Sequence, residues 1–347
     1  MIAALVAEPG AAHSTRVEQI EEPRGDGVLL RVLEVGVCGT DREISEGLFG
    51  AAADGGKQLV IGHESLAEVA RDGHGFSKGD LVCATVRRSC RHCIACDEGS
   101  PDSCLTGNYS ERGITRLDGF AREVLVEDPE QLVRIPRSLG RLAVLAEPTS
   151  ICTRGIRHAV TIGARQPWEP RRALVTGAGA VGLLSTMLLR LEGFDVCVAS
   201  LEDSSPIADA LGAQYVSTTS TDLADTGPYD IVIEAAGSAQ LMLDAIGLLG
   251  RSGVACLLGI DGRAGKAQIE NEVIGVDAVL ENRVLFGSVN ARRDDWVSGV
   301  EALDRARTEF PGALEELIGL RVPLDRFADA FAFTGGKATL VLDERKS

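Results

Sequence analysis

Three separate stretches of the chain carry side chains that can bind a metal ion. Cys38-Gly39-Thr40-Asp41 offers a thiol, Gly62-His63-Glu64 an imidazole and a carboxylate, and Ala146-Glu147-Pro148 a second carboxylate. Each is a weak signal alone, since a lone cysteine is usually a small core residue and Gly-His-Glu can be a surface turn. Together they make a reasonable zinc donor set, and a position left open for water or substrate would make the metal catalytic. The run Cys90-x2-Cys93-x2-Cys96-x7-Cys104 is a stronger signal. Four thiolates close a tetrahedral zinc shell with no place for substrate, which is a structural site that folds a loop too polar to bury its own core. An iron–sulfur cluster is the competing metal, and four unliganded thiols at this spacing are harder to explain.

A second chemistry lies further along. Gly177-Ala178-Gly179-Ala180-Val181-Gly182 is a G-x-G-x-x-G that follows an apolar strand-like run, Arg172–Thr176, and opens a helix-like one. In that setting the glycines allow a tight turn and close approach to a pyrophosphate, and the helix N-terminus offers free N–H groups to the anion. The alternative is a glycine turn that only packs helix on strand. The next strand, Asp195–Ala199, ends at Ser200, followed by Leu201-Glu202-Asp203 without an arginine. An acidic side chain there accepts from a ribose 2′-hydroxyl and repels a 2′-phosphate, so NAD is preferred, with NADP the alternative.

These residues need two kinds of scaffold. Residues 28–35, 59–61, 66–70, 81–84, 120–126 and 131–135 are short β-favouring runs between turn residues, the pattern of an irregular β domain. From about residue 156 to 289, strand and helix alternate as in a parallel βαβ sheet, and a helix near 296–309 belongs to a segment that rejoins the first domain. The expected domains are 1–155 with 290–347, including a metal lobe at 87–113, and 156–289. The 347 residues suit two domains. A net charge of -16 argues against nucleic acid as a partner, a zinc-ribbon module included. No run is long enough to span a membrane, and the N-terminus does not read as a signal peptide. The expectation is a soluble, cytoplasmic protein without membrane or nucleic-acid partners. Nine cysteines cannot all pair with one another, and a reducing compartment favours metal or catalytic roles for them. Cys83, Cys152, Cys197 and Cys256 read as packing residues.

In this order and combination the motifs resemble the zinc-dependent medium-chain dehydrogenases, over essentially the whole chain. Within that superfamily the chain is most similar to archaeal-type glucose 1-dehydrogenases. The similarity lies in Ser110-Glu111-Arg112-Gly113-Ile114, Gly119-Phe120, Leu132-Val133-Arg134-Ile135-Pro136, Ala146-Glu147-Pro148 and Phe286-Gly287-Ser288-Val289-Asn290-Ala291. The resemblance implies an α/β protein: a GroES-like irregular β catalytic domain, split in sequence, around a doubly wound Rossmann domain, with the chemistry in the cleft between them. It implies Cys38, His63 and Glu147 as catalytic zinc ligands, with Glu64 an exchanging ligand or the holder of a zinc-bound water. It implies that Thr40 bonds the substrate hydroxyl and that Glu111 and Asn290 contact sugar hydroxyls or the nicotinamide edge. Gly177, Gly179, Ala180, Val181, Gly182, Ser200 and Glu202 would hold the dinucleotide. A homodimer or homotetramer is also implied. The expected reaction is reversible oxidation of a sugar or polyol hydroxyl, with gluconolactone the product from glucose.

Arg42 and Glu43 stand where many superfamily members carry a relay histidine, and Ile151 stands where some sugar-oxidising relatives carry an acidic substrate contact. A same-fold dehydrogenase of another secondary alcohol, such as a cyclitol or a biosynthetic intermediate, therefore stays open. A zinc-stabilised protein without chemistry would be expected to lack Cys38 or His63, and both are present.

Overall fold

The strand Val28–Val37 is the spine of the first half of the molecule. It pairs antiparallel with Val124–Glu127, Glu64–Val69 and Ala338–Val341, with a register shift between Val32 and Glu34 in the pairing to Glu64–Val69. The sheet extends through Leu81–Ala84 and Leu132–Ile135 on one side and through Leu320–Pro323 on the other. Alternating valines and leucines fill its inner face, where Leu30, Val32, Val69, Val82, Phe120 and Leu125 are all buried. Apolar β-branched residues at a period of two suit this pleated, half-buried surface. A second core joins Leu5, Ile44, Leu59 and Ile61 to Val322 and Leu340 near the other end of the chain.

The computed structural model describes residues 1–53, 55–262 and 265–343. They divide into one unit of Met1–Glu147, Asn290–Asp304 and Ile318–Ser347 and another of Pro148–Val289 and Arg305–Leu317. Residues 148–155 and 305–317, placed with the first domain by sequence pattern, group with the second unit. Arg305 donates to the Leu191 carbonyl at 3.2 Å, and the helix Ala313–Leu317 packs against Pro206–Ala210.

The second unit holds a six-stranded sheet in the spatial order Gln214–Ser217, Asp195–Ser200, Arg172–Thr176, Tyr229–Glu234, Leu249–Leu257, Val284–Gly287, every pairing parallel. In chain order this is 3-2-1-4-5-6, the doubly wound dinucleotide-binding arrangement. Its four central strands are mostly buried on both faces and so read as largely continuous apolar runs. The helix Ala146–Gly163 has no counterpart in the sequence pattern. Its isoleucines, valine and threonines are β-favouring by propensity, and tertiary packing overrides that preference. Pro148 is tolerated because it lies in the first turn. No helix among the described residues is long and apolar enough to cross a membrane.

Candidate metal centre and dinucleotide loop

Cys38 lies just past the end of the spine strand, in extended conformation, and begins the helix Gly39–Ser45. Asp41, in that helix's first turn, accepts from the Cys38 N–H at 3.0 Å through Oδ2. His63 sits in the turn between Leu59–Val60 and Glu64–Val69. Its Nε2 is 3.1 Å from Cys38 Sγ, and its Nδ1 is 3.6 Å from Asp41 Oδ1. One ring nitrogen thus faces a thiol and the other a carboxylate, which is how a metal-ligating histidine is held by an outer partner. Burial works against the imidazolium, but Cys38 and then Asp41 outweigh it and hold the His63 pKa well above its ordinary value.

Glu64 and Glu147 complete the cluster. Glu64 pairs with Gly36 across the sheet, and a Cβ at Gly36 would come within 2.0 Å of Glu64 Oε2. Only glycine leaves room for this carboxylate. Glu147 begins the helix Ala146–Gly163, and burial pushes its carboxyl up to about 7. Donor atoms of Cys38, Asp41 and His63 lie within 4.8 Å of one another, as do those of His63, Glu64 and Glu147. Asp41 Oδ1, His63 Nδ1 and Glu64 Oε2 are buried without a hydrogen bond. Buried polar atoms are seldom left so, and an imidazole with a thiol in one group and two further carboxylates in the other offers donors that suit zinc. Thr40, half-buried beside Cys38, has a hydroxyl with no hydrogen bond among the described residues.

The four cysteines of the lobe also meet. Their sulfurs lie within 4.8 Å of one another, with Cys90–Cys96 at 3.8 Å and Cys93–Cys96 at 3.5 Å. A tetrahedron with Zn–S near 2.3 Å has sulfurs about 3.8 Å apart, so the residues fit the metal. Cys83, Cys152, Cys197 and Cys256 are buried and unbridged, and burial raises the Cys256 thiol to about 12.

In the second unit the strand Arg172–Thr176 runs into Gly177, whose φ is +94°. Gly179 precedes the helix Ala180–Leu191. A Cβ on Gly182 would lie 1.9 Å from the Gly177 carbonyl oxygen, so the third glycine sets the close packing of helix on turn. At the end of the neighbouring strand, Ser200 donates to Glu202 Oε2 and Tyr215 donates to the Glu202 carbonyl at 2.9 Å. The Ser200 hydroxyl holds the Glu202 carboxyl below its ordinary pKa.

Residues 24–137 match the family model described as alcohol dehydrogenase GroES-like domain, and residues 140–343 match that described as glucose dehydrogenase C-terminus. The chain belongs to the glucose dehydrogenase family of zinc-dependent medium-chain dehydrogenases. It is an oxidoreductase. It is 40% identical over 331 residues to a glucose 1-dehydrogenase of Methanocella arvoryzae, covering 91% of this chain and 92% of that one. It is 38% identical to a glucose 1-dehydrogenase of Thermoproteus tenax, covering 98% of both. Among solved structures it is similar to Haloferax mediterranei glucose dehydrogenase in complex with NADP, zinc and gluconolactone. That match has a TM-score of 0.89 and 29% identity, over 98% of this chain and 99% of the other.

In this dehydrogenase the structure also brings together Glu111 and Asn290, 179 residues apart, with Asn290 Nδ2 donating to Glu111 Oε1 at 3.0 Å. Arg42 is committed elsewhere, donating to the carbonyls of Phe331 (2.8 Å) and Phe333 (2.7 Å). Sequence pattern assigns no role to Asp41 or Lys337. Asp41 had a signal, as a carboxylate three residues after a candidate ligand. Lys337 had none, because lysine is almost always a surface residue.

Proposed function

We propose that this chain oxidises the C1 hydroxyl of glucose or a closely related sugar to the lactone, with NAD as the preferred acceptor. The observation that carries this reading is that His63 meets Cys38 on one side and Glu64 and Glu147 on the other, with Glu64 Oε2 buried without a hydrogen bond, in a chain of the glucose dehydrogenase family. Cys38, His63 and Glu147 would hold the catalytic zinc, with Glu64 as an exchanging ligand or the holder of its water. Cys90, Cys93, Cys96 and Cys104 would hold the structural one. When bound, zinc supplies a Lewis acid that lowers a hydroxyl's pKa, and the nicotinamide supplies the hydride acceptor.

The chain's own residues do the rest. Asp41 fixes the imidazole of His63, as outer partners of metal ligands do. Thr40 leads the hydroxyl proton away from the site. Glu111 and Asn290 orient the sugar, which shortens the search for a reactive geometry. Gly177, Gly179, Ala180, Val181 and Gly182 cradle the pyrophosphate, and Ser200 with Glu202 receives the adenosine ribose. The net change is loss of a proton from O1 and a hydride from C1. The unbridged cysteines accord with a cytoplasmic enzyme, and we propose a homodimer or homotetramer.

The test is a panel of sugars, polyols and cyclitols with NAD and NADP, followed by absorbance of the reduced cofactor. The highest kcat/KM is expected for glucose or an epimer with NAD. Turnover of simple aliphatic alcohols alone would defeat the sugar reading, and a best activity on a cyclitol would replace it. A strong preference for NADP would defeat the role given to Glu202.

A further inference from the structure

One oxygen of Glu111 takes three donors. Arg87 Nε at 3.1 Å, Arg87 Nη2 at 2.9 Å and Asn290 Nδ2 at 3.0 Å all point to Oε1. Oε2 has no hydrogen bond among the described residues, and the side chain keeps 14% of its surface exposed. A carboxylate held this way is oriented, with one oxygen saturated and the other presented as an open acceptor. The amide of Asn290 is oriented too, because its Oδ1 accepts from the Ala291 N–H at 2.8 Å.

Arg87 owes its place to register. The strands Arg87–Arg88 and Ser110–Arg112 pair antiparallel, with Arg87 directly opposite Glu111, so the two side chains emerge on one face. The remaining nitrogen, Nη1, donates to the Asp102 carbonyl, two residues before Cys104. The guanidinium carbon lies 4.0 Å from the centre of the Tyr109 ring, within cation–π range. Each of the three guanidinium nitrogens and one face are therefore engaged, and the side chain is only 9% exposed. The neighbouring Arg88 turns instead to Glu127, at 2.8 Å.

We propose that Arg87 is the positioning residue of the sugar site: within the four-cysteine lobe it ties Oε1 of Glu111 to the Asp102 carbonyl segment so that Oε2 is held ready for a sugar hydroxyl. This rests on the reading that Glu111 contacts the substrate. Only a planar fork can reach Glu111, the Asp102 carbonyl and the Tyr109 face together, so lysine replaces it only in part.

The test is steady-state kinetics of Arg87→Met, Arg87→Lys, Glu111→Gln and the Arg87→Met/Glu111→Gln double variant, on the best sugar of the panel, with zinc content and sugar binding by calorimetry. Arg87→Met is expected to raise KM and the sugar dissociation constant about tenfold, with kcat within about threefold, the pattern of lost substrate binding. Zinc should stay at the wild-type level, and Arg87→Lys should fall between. In the Glu111→Gln background the same change should add less than about twofold, because a residue that acts through another has nothing left to act through. An unchanged KM in Arg87→Met, or a full tenfold penalty without Glu111, overturns the proposal. If Arg87→Met does not fold, Arg87→Lys decides by the same two comparisons. If Glu111→Gln leaves sugar affinity unchanged, the role of Glu111 fails and the proposal with it; if only the Arg87 variants are silent, the role of Glu111 stands and Arg87 is a brace for the lobe alone.

Discussion

Lys337 Nζ lies 2.6 Å from Glu64 Oε1, and both side chains are almost wholly excluded from water, at 3% and 2% exposure. The residues are 273 positions apart. They meet because Ala338–Val341 pairs with the spine strand, Ala338 opposite Val37, while Glu64 pairs with Gly36 on the spine's other edge. Burial works against the ammonium, but Glu64 and then Cys38 hold the Lys337 pKa above its ordinary value. A buried pair gains little over an apolar one, but removing one partner strands the other's charge.

Lys337→Met is therefore expected to lower unfolding free energy by about 3–5 kcal/mol. Adding Glu64→Gln should restore part of the loss, because no charge is then left alone. Urea unfolding of Lys337→Met, Glu64→Gln and the double variant at one zinc concentration measures this. Equal or additive losses would show that the two residues do not act as a pair.

Glu147 predicts a pH signature. Burial raises its carboxyl from 4.5 to about 7, so with the Cys38 site kept metal-free, the folded chain holds a proton that the unfolded chain has released. Its contribution to stability is full below about pH 4.5 and is lost as pH rises towards 7. Relative to Glu147→Gln, the wild type should lose on the order of 3 kcal/mol across that window. Zinc uptake below pH 7 should release this proton, seen as a buffer-dependent heat in calorimetry.

The two cysteine groups should fail differently. Cys38→Ser is expected to fold, to lose one zinc per chain and to drop turnover roughly a thousandfold, as loss of several kcal/mol of Lewis-acid stabilisation implies. Cys93→Ser should instead give little soluble protein, because the lobe depends on its metal to fold. Unchanged turnover with full zinc in Cys38→Ser would remove the catalytic site, and a well-folded, inactive Cys93→Ser would remove the structural one.

Asp41→Asn tests the outer partner of His63. The change keeps shape but removes the charge 3.6 Å from Nδ1, and losses of about 10–100-fold in zinc affinity or activity are usual for such partners. Competition with a chelator of known affinity reads the first directly, without reference to turnover.

What could be read from the chain alone was whatever chemistry is contiguous. The four lobe cysteines fall within 15 positions, and Gly177 to Gly182 is a single turn whose conformation is dictated by missing Cβ atoms. Spacing then carries geometry, because the backbone between the residues is too short to adopt many shapes. The alternation of strand and helix was legible for a similar reason, since burial on both faces of a parallel sheet leaves unbroken apolar runs. Where packing opposed propensity, as in Ala146–Gly163, the pattern misled, and the helix that carries Glu147 could not be seen.

Residue types at Cys38, His63 and Glu147 raised the possibility of zinc, but the approach of His63 to Cys38 and to Glu147 is a tertiary fact. So are the pairs Lys337–Glu64 and Arg87–Glu111, which depend on strand register. A one-residue slip would turn every side chain to the opposite face, and nothing local to lysine 337 or arginine 87 reports which way it points. The sequence by itself determined the kind of chemistry available to this protein. Only the folded sheet, by choosing which strands lie side by side, decided which charges face one another with water excluded.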